Sequence, residues 1–304
     1  MSKLSKIVIF CGKGGVGKTT LSLAYGVRQA AAGKRVVLVT SHPLPELAVA
    51  VSLAGLSKEL PDAAKNLFVV HLNAKELLDE IIEENFPVQW VAAAVLNSQI
   101  YKNLVEVSPG LKEFYFLARM QQLAERRRAA SGDGEADYDL LLWDAPATGH
   151  FLTTLRSARS FEVYLTGPLA AAGADMNRFF SNAANIGVLP TTTLEEMAIE
   201  ETIEMCRALE REFLLRPSAV LLNQVSPLCS ASQEQVDEVR RQSEASANEA
   251  LRFAVDRGIQ ERERVQELRA ALDAPGIAIE RIRGFRSDLD LLQQAGRSLE
   301  GLAL

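Results

Sequence analysis

Apolar residues along the chain fall into two alternating kinds of stretch. Short, near-continuous runs at Ile7-Val8-Ile9-Phe10, Arg35 to Thr40, Leu67 to Leu72, Tyr138 to Asp144, Ile186 to Leu189 and Ala219 to Val225 suit parallel strands covered on both faces. Between them, apolar positions recur at helical spacing. Leu21, Ala24, Val27 and Ala31 predict a helix from about Lys18 to Ala32, stopped by Gly33. A long tract through Leu77, Ile81, Phe86, Trp90, Ala94 and Leu104 predicts more helix, followed after Pro109-Gly110 by a helix from Leu111 to about Arg128. Phe161 to Asn185 reads as irregular or helical cover. Leu194 to about Leu215 is an amphipathic acidic helix, and Gln233 to about Leu272 is a charged helical stretch with Gly258 as its expected break. A last strand over Ile277 to Gly284 and a helix from about Asp288 to Leu302 complete the chain. This alternation predicts an α/β fold, a doubly wound, mostly parallel sheet with a ligand site at the carboxyl ends of its strands. Residues 1–304 form one domain in this reading, with a helical insert over about 74–130 that returns to the sheet through Ser131-Gly132-Asp133-Gly134-Glu135.

Composition narrows the classes of partner. The 304 residues are 48% hydrophobic and 24% charged, which suits a globular chain with a large core, and the net charge of −6 leaves no electrostatic footprint for nucleic acid or anionic lipid. No direct membrane anchor is expected: no apolar run approaches the eighteen or so residues that a membrane helix requires, and the final helix has only Arg297 as a cation on its polar side. With no apolar leader after Met1, the expected compartment is the cytoplasm. Cys11, Cys206 and Cys229 stand far apart without a Cys-x-x-Cys pair, so they read as free thiols.

Two motifs carry chemistry. The first strand runs into Gly12-Lys13-Gly14-Gly15-Val16-Gly17-Lys18-Thr19-Thr20, which opens the first helix. Strand, glycine turn and helix start together make a phosphate cradle, in which Lys18 reaches the β- and γ-phosphates and Thr19 ligates Mg²⁺. The fold is therefore that of a P-loop nucleotide triphosphatase. The second motif is the strand ending in Asp144, a carboxylate placed to hold Mg²⁺ close to Thr19.

Lys13 makes the loop resemble the deviant Walker A motif of dimeric ATPases that drive arsenite pumps, tail-anchored protein targeting, chromosome partition and septum placement. In those families the extra lysine reaches a phosphate on the partner's nucleotide. The resemblance implies a homodimer, or a heterodimer with a related ATPase. The run Asp144-Ala145-Pro146-Ala147-Thr148-Gly149-His150 looks like the second switch of the arsenite-pump and targeting branch, Asp-Thr-Ala-Pro-Thr-Gly-His, down to its Thr-Gly-His ending. Asn223 resembles the family residue that hydrogen-bonds adenine. Gln224, Val225 and Ser226 follow it in place of the Lys and Asp of a guanine reader, which favours ATP. The family's protein cargo is implied to lie in a groove lined by part of the helical insert, although the insert carries only Met120 of the flexible methionines such grooves exploit.

One position departs from the pattern. Where the family's first switch carries an aspartate that orients or deprotonates the attacking water, this chain has His42, in Thr40-Ser41-His42-Pro43. A neutral imidazole, with an unperturbed pKa of about 6.5, can accept a proton but lacks the carboxylate's charge and shape. Two functions follow: an ATPase in which His42 or a neighbour replaces the acid, or a nucleotide-binding regulatory subunit paired with an active relative. A third, the driver of an arsenite pump, needs soft thiolate ligands that three scattered cysteines supply poorly.

Overall fold

A computed structural model of the protein describes residues 5–40, 66–72, 110–125, 138–282, 287–300 and 302. Its elements in chain order are β1 (Ile7–Gly12), α1 (Lys18–Ala31), β2 (Val36–Thr40), β3 (Leu67–His71), α2 (Leu111–Glu125), β4 (Leu140–Ala147), α3 (Thr148–Tyr164) and α4 (Pro168–Phe180). They continue with β5 (Ile186–Thr192), α5 (Glu196–Phe213), β6 (Val220–Val225), α6 (Gln233–Ala245), α7 (Glu249–Leu272), β7 (Gly276–Glu280) and α8 (Asp288–Ser298). Seven strands form one sheet in the order β3-β2-β4-β1-β5-β6-β7, and every pairing is parallel.

The strand alternation sorts side chains into two layers. Ile7, Ile9, Leu141 and Trp143 pack with Phe114 and Met120 of α2, Phe151 and Leu155 of α3, Phe180 of α4 and Leu209 of α5. Val8, Phe10, Leu140 and Leu142 face the opposite way, onto Leu21 and Val27 of α1 and Leu292 and Ala295 of α8. A smaller cluster joins Ile199 of α5, Leu222 of β6 and Val265 and Leu268 of α7. β1 is buried along its whole length, as a central strand with helices on both faces should be. The all-parallel pairing leaves the carboxyl ends of β1, β4 and β6 along the same end of the sheet.

One open alternative is decided and two expectations are revised. The cover over Phe161 to Asn185 consists of the end of α3 and the whole of α4, which Gly167 and Pro168 start cleanly. The break in the charged stretch falls at Ser246–Asn248, where the Asn248 side chain accepts the Leu251 N–H and caps α7. Gly258 lies inside α7, where an added Cβ would stand 2.7 Å from Ser226 Oγ and 2.8 Å from Leu228 Cδ1. It is a close-approach glycine, which a breaker signal read from sequence alone does not distinguish. The short strand at Ile186 continues through Pro190 to Thr192.

Among the described residues no helix is long and apolar enough to cross a membrane. Met120 is fully buried in the core, so it lines no groove. His42, the tract from Leu77 to Leu104 and the hinge at 131–135 lie outside the described residues.

Candidate functional site

Three glycines of the loop after β1, Gly12, Gly15 and Gly17, answer a local demand. Gly12 has φ +143 and its missing side chain leaves room for the Thr191 carbonyl of β5, while Gly15 has φ +85. Gly17, at φ +96, is the N-cap of α1 and lies against the Asn223 amide nitrogen, where a Cβ would overlap it. No side chain caps α1, so its first-turn N–H groups have no side-chain acceptor at the N-cap. Gly14 is exposed, Val16 is buried and Thr20 is half-buried on the first turn of α1.

Lys18 is 9% exposed, and its Nζ donates to the Lys13 carbonyl at 2.8 Å. Burial lowers its pKa, against the pull of Asp144, Cys11 and Glu201. Asp144 stands level with Phe10 of β1 on one side and Thr40 of β2 on the other. Its Oδ2 accepts the Thr19 hydroxyl at 2.6 Å. Burial pushes its carboxyl up to about 6, opposed by the Thr19 hydrogen bond and by Lys18. The other oxygen, Oδ1, is buried without a hydrogen-bond partner, as are the hydroxyls of Thr148 and Thr191.

A buried carboxylate with one oxygen unsatisfied, touching a hydroxyl beside an anion cradle, fits a hard divalent cation such as Mg²⁺. Among the described residues no group of three or more His, Cys, Asp or Glu could hold a metal on its own.

Asn223, two residues before the end of β6, is 8% exposed and donates from Nδ2 to the Val16 carbonyl at 2.9 Å. It thereby ties β6 to the loop. Behind it Glu261 of α7 is 6% exposed and accepts the Ser226 N–H at 2.8 Å, fixing the turn that follows. Lys13 is half-buried, with its Nζ 3.9 Å from Glu201 Oε2 on α5.

A family model described as anion-transporting ATPase, ArsA type, matches residues 5–225. The chain belongs to that family. A protein of Aquifex aeolicus named provisionally as arsenical pump-driving ATPase 2 is 29% identical over 168 residues, covering 53% of this chain and 52% of its own length. A second Aquifex aeolicus protein, named provisionally as arsenical pump-driving ATPase 1, is 30% identical over 152 residues, covering 47% of this chain and 36% of its own. The ATPase GET3 of Malassezia globosa is 26% identical over 160 residues, covering 52% and 44%. The chain thus spans about half, or less, of the length of these relatives.

The fold of this ArsA-family chain brings Gly12 to Thr20, Asp144 and Asn223 together at the carboxyl end of the sheet. His42 lies outside the described residues, and Thr40, two positions before it, is in register with Asp144. Sequence reasoning missed Thr191 and Glu201. Thr191 follows Pro190, which reads as the end of a strand, and Glu201 is one of several glutamates on α5 with nothing local to single it out.

Proposed function

We propose that this ArsA-family chain is a Mg·ATP-dependent switch ATPase that works as a dimer and couples nucleotide binding and hydrolysis to the handling of a protein partner, including membrane-protein cargo. The observation that carries the reading is the 2.6 Å contact of Thr19 with the half-satisfied Asp144 carboxylate, next to Lys18 in a glycine loop. In this account the α1 amide groups and Lys18 bind the phosphate chain, Thr19 and Asp144 hold Mg²⁺, and Lys13 adds positive charge at the partner's nucleotide. The ion would neutralise charge developing on the phosphate oxygens. Asn223 has amide capacity beyond its bond to Val16, which an adenine edge would use. The names of the GET3 relative and of the provisional arsenical pump ATPases fit a family that uses ATP, and the inference of a protein partner for this chain rests on that resemblance.

The test is phosphate release by the purified chain with Mg·ATP. Wild type is expected to turn over and Lys18→Ala to fall to background; equal rates in the two would end the proposal.

A second reading is favoured by His42 in place of the expected aspartate. There the chain binds nucleotide but turns it over poorly, and an active relative supplies the acid. His42→Asp should then raise the rate at least tenfold, and an unchanged rate would exclude this reading. An arsenite-pump role is the weakest, because burial pushes the Cys206 thiol up to about 12 and Cys11 well above its ordinary range, so neither offers a ready thiolate. Stimulation of turnover by antimonite would reverse that ranking.

A further inference from the structure

Both functional groups of Lys13 are occupied within its own chain. Its carbonyl accepts the Lys18 ammonium at 2.8 Å, and its own ammonium lies 3.9 Å from the Glu201 carboxylate. The two lysines that the proposed function sends to phosphate are therefore both engaged around one loop residue. Glu201 is also among the charges acting on Lys18, which places this acid beside the cradle as a whole. Its position follows from the fold: Gly12 backs onto Thr191, the last turn of β5 leads into α5, and Glu201 falls on the second turn of that helix.

We propose that Glu201 is a positioning residue that competes with a partner's phosphate chain for Lys13, and so sets the concentration of ATP at which two chains close. This rests on the dimeric ATPase reading above. To reach across an interface, Lys13 must give up the carboxylate on α5. A triphosphate offers more negative charge than one glutamate, so it wins the competition, whereas a diphosphate, lacking the γ-phosphate, leaves Lys13 with Glu201. The pair is about two-thirds buried on each side, and such a partly exposed ion pair changes an equilibrium by roughly two- to fivefold. A symmetric dimer releases two of them, so the effect on pairing compounds to roughly four- to twenty-five-fold.

Glu201→Gln keeps the size of the side chain and removes the charge. In a Mg·ATP titration followed by sedimentation velocity, half-maximal pairing of Glu201→Gln is expected at several-fold lower ATP than wild type. Glu201→Asp, which keeps the charge, should remain within twofold of wild type. If Glu201 acts through Lys13, the Gln substitution should have no effect in a Lys13→Gln background. Persistence of the effect there would mean that Glu201 acts on phosphate directly, and would overturn the proposal. So would an unchanged midpoint in Glu201→Gln. Calorimetry on wild type separates the two levels: uptake of Mg·ATP and pairing without a Glu201 effect sinks only this inference. Absence of uptake, or uptake without pairing in both wild type and Glu201→Gln, sinks it together with the dimeric ATPase reading.

Discussion

Burying the Asp144 carboxyl raises its pKa from an ordinary 3.8 to about 6, with Thr19 and Lys18 only partly offsetting the loss of water. The fold therefore holds the Asp144 proton more tightly than the open chain does. The stability this confers is present below about pH 4 and is lost as the pH rises through about 6. Asp144→Asn removes the charge and keeps an oxygen for Thr19. Without ligand it should be more stable than wild type at pH 7.5, by about 2 kcal/mol, with the gap closing toward pH 4 in urea titrations. Mg·ATP should then stabilise wild type and leave Asp144→Asn nearly unmoved. The same carboxylate was legible in the sequence because an acid ending an apolar strand is a local pattern. Glu201 was not legible, since its closeness to Lys13 arises only when β5 and α5 bring residues 188 positions apart together.

Elements announced by composition were easier to read than the spaces between them. The runs at Ile7, Val36 and Val220 have no other use for so many buried β-branched residues, and they are strands β1, β2 and β6. The cover formed by the end of α3 and by α4 was unclear because small residues there serve close helix packing, which leaves no strong periodic signal. Gly173 of α4 is the instance: an added Cβ would stand 2.6 Å from the Glu162 N and 2.9 Å from the Ala158 carbonyl of α3. Backbone cannot swing aside as a side-chain tip can. Gly173→Ala is expected to lower stability by about 1–3 kcal/mol, although alanine is favoured by about 1 kcal/mol in an unconstrained helix. Thermal unfolding of the variant decides it, and a raised melting temperature would mean that α3 and α4 separate freely.

For the whole molecule, the decisive quantity is mass in solution. With Mg·ATP the proposed switch doubles from the mass of one chain to that of two, and with Mg·ADP it returns. Lys13→Gln should still take up Mg·ATP, since Lys18, Thr19 and Asp144 stay in place, but should lose pairing at least tenfold by sedimentation. The loop was legible in the sequence and the proposed dimer was only implied by the resemblance, while the stretch with His42 lies outside the described residues.

The sheet itself has an uneven middle. β5 bridges Val188 to Pro217, three residues before β6 begins, and pairs with β6 itself at Thr191 and Thr192, with the offset slipping by one residue around Pro190, which has no N–H to give. On one side of that seam sits the glycine loop after β1; on the other sits Asn223, whose amide donates to the Val16 carbonyl of that loop. A nucleotide gripped at its phosphates by one half and at its base by the other would act as a staple across the weakest joint of the sheet, so that occupancy is felt as stiffness in β6 and β7 and not only at the atoms it touches.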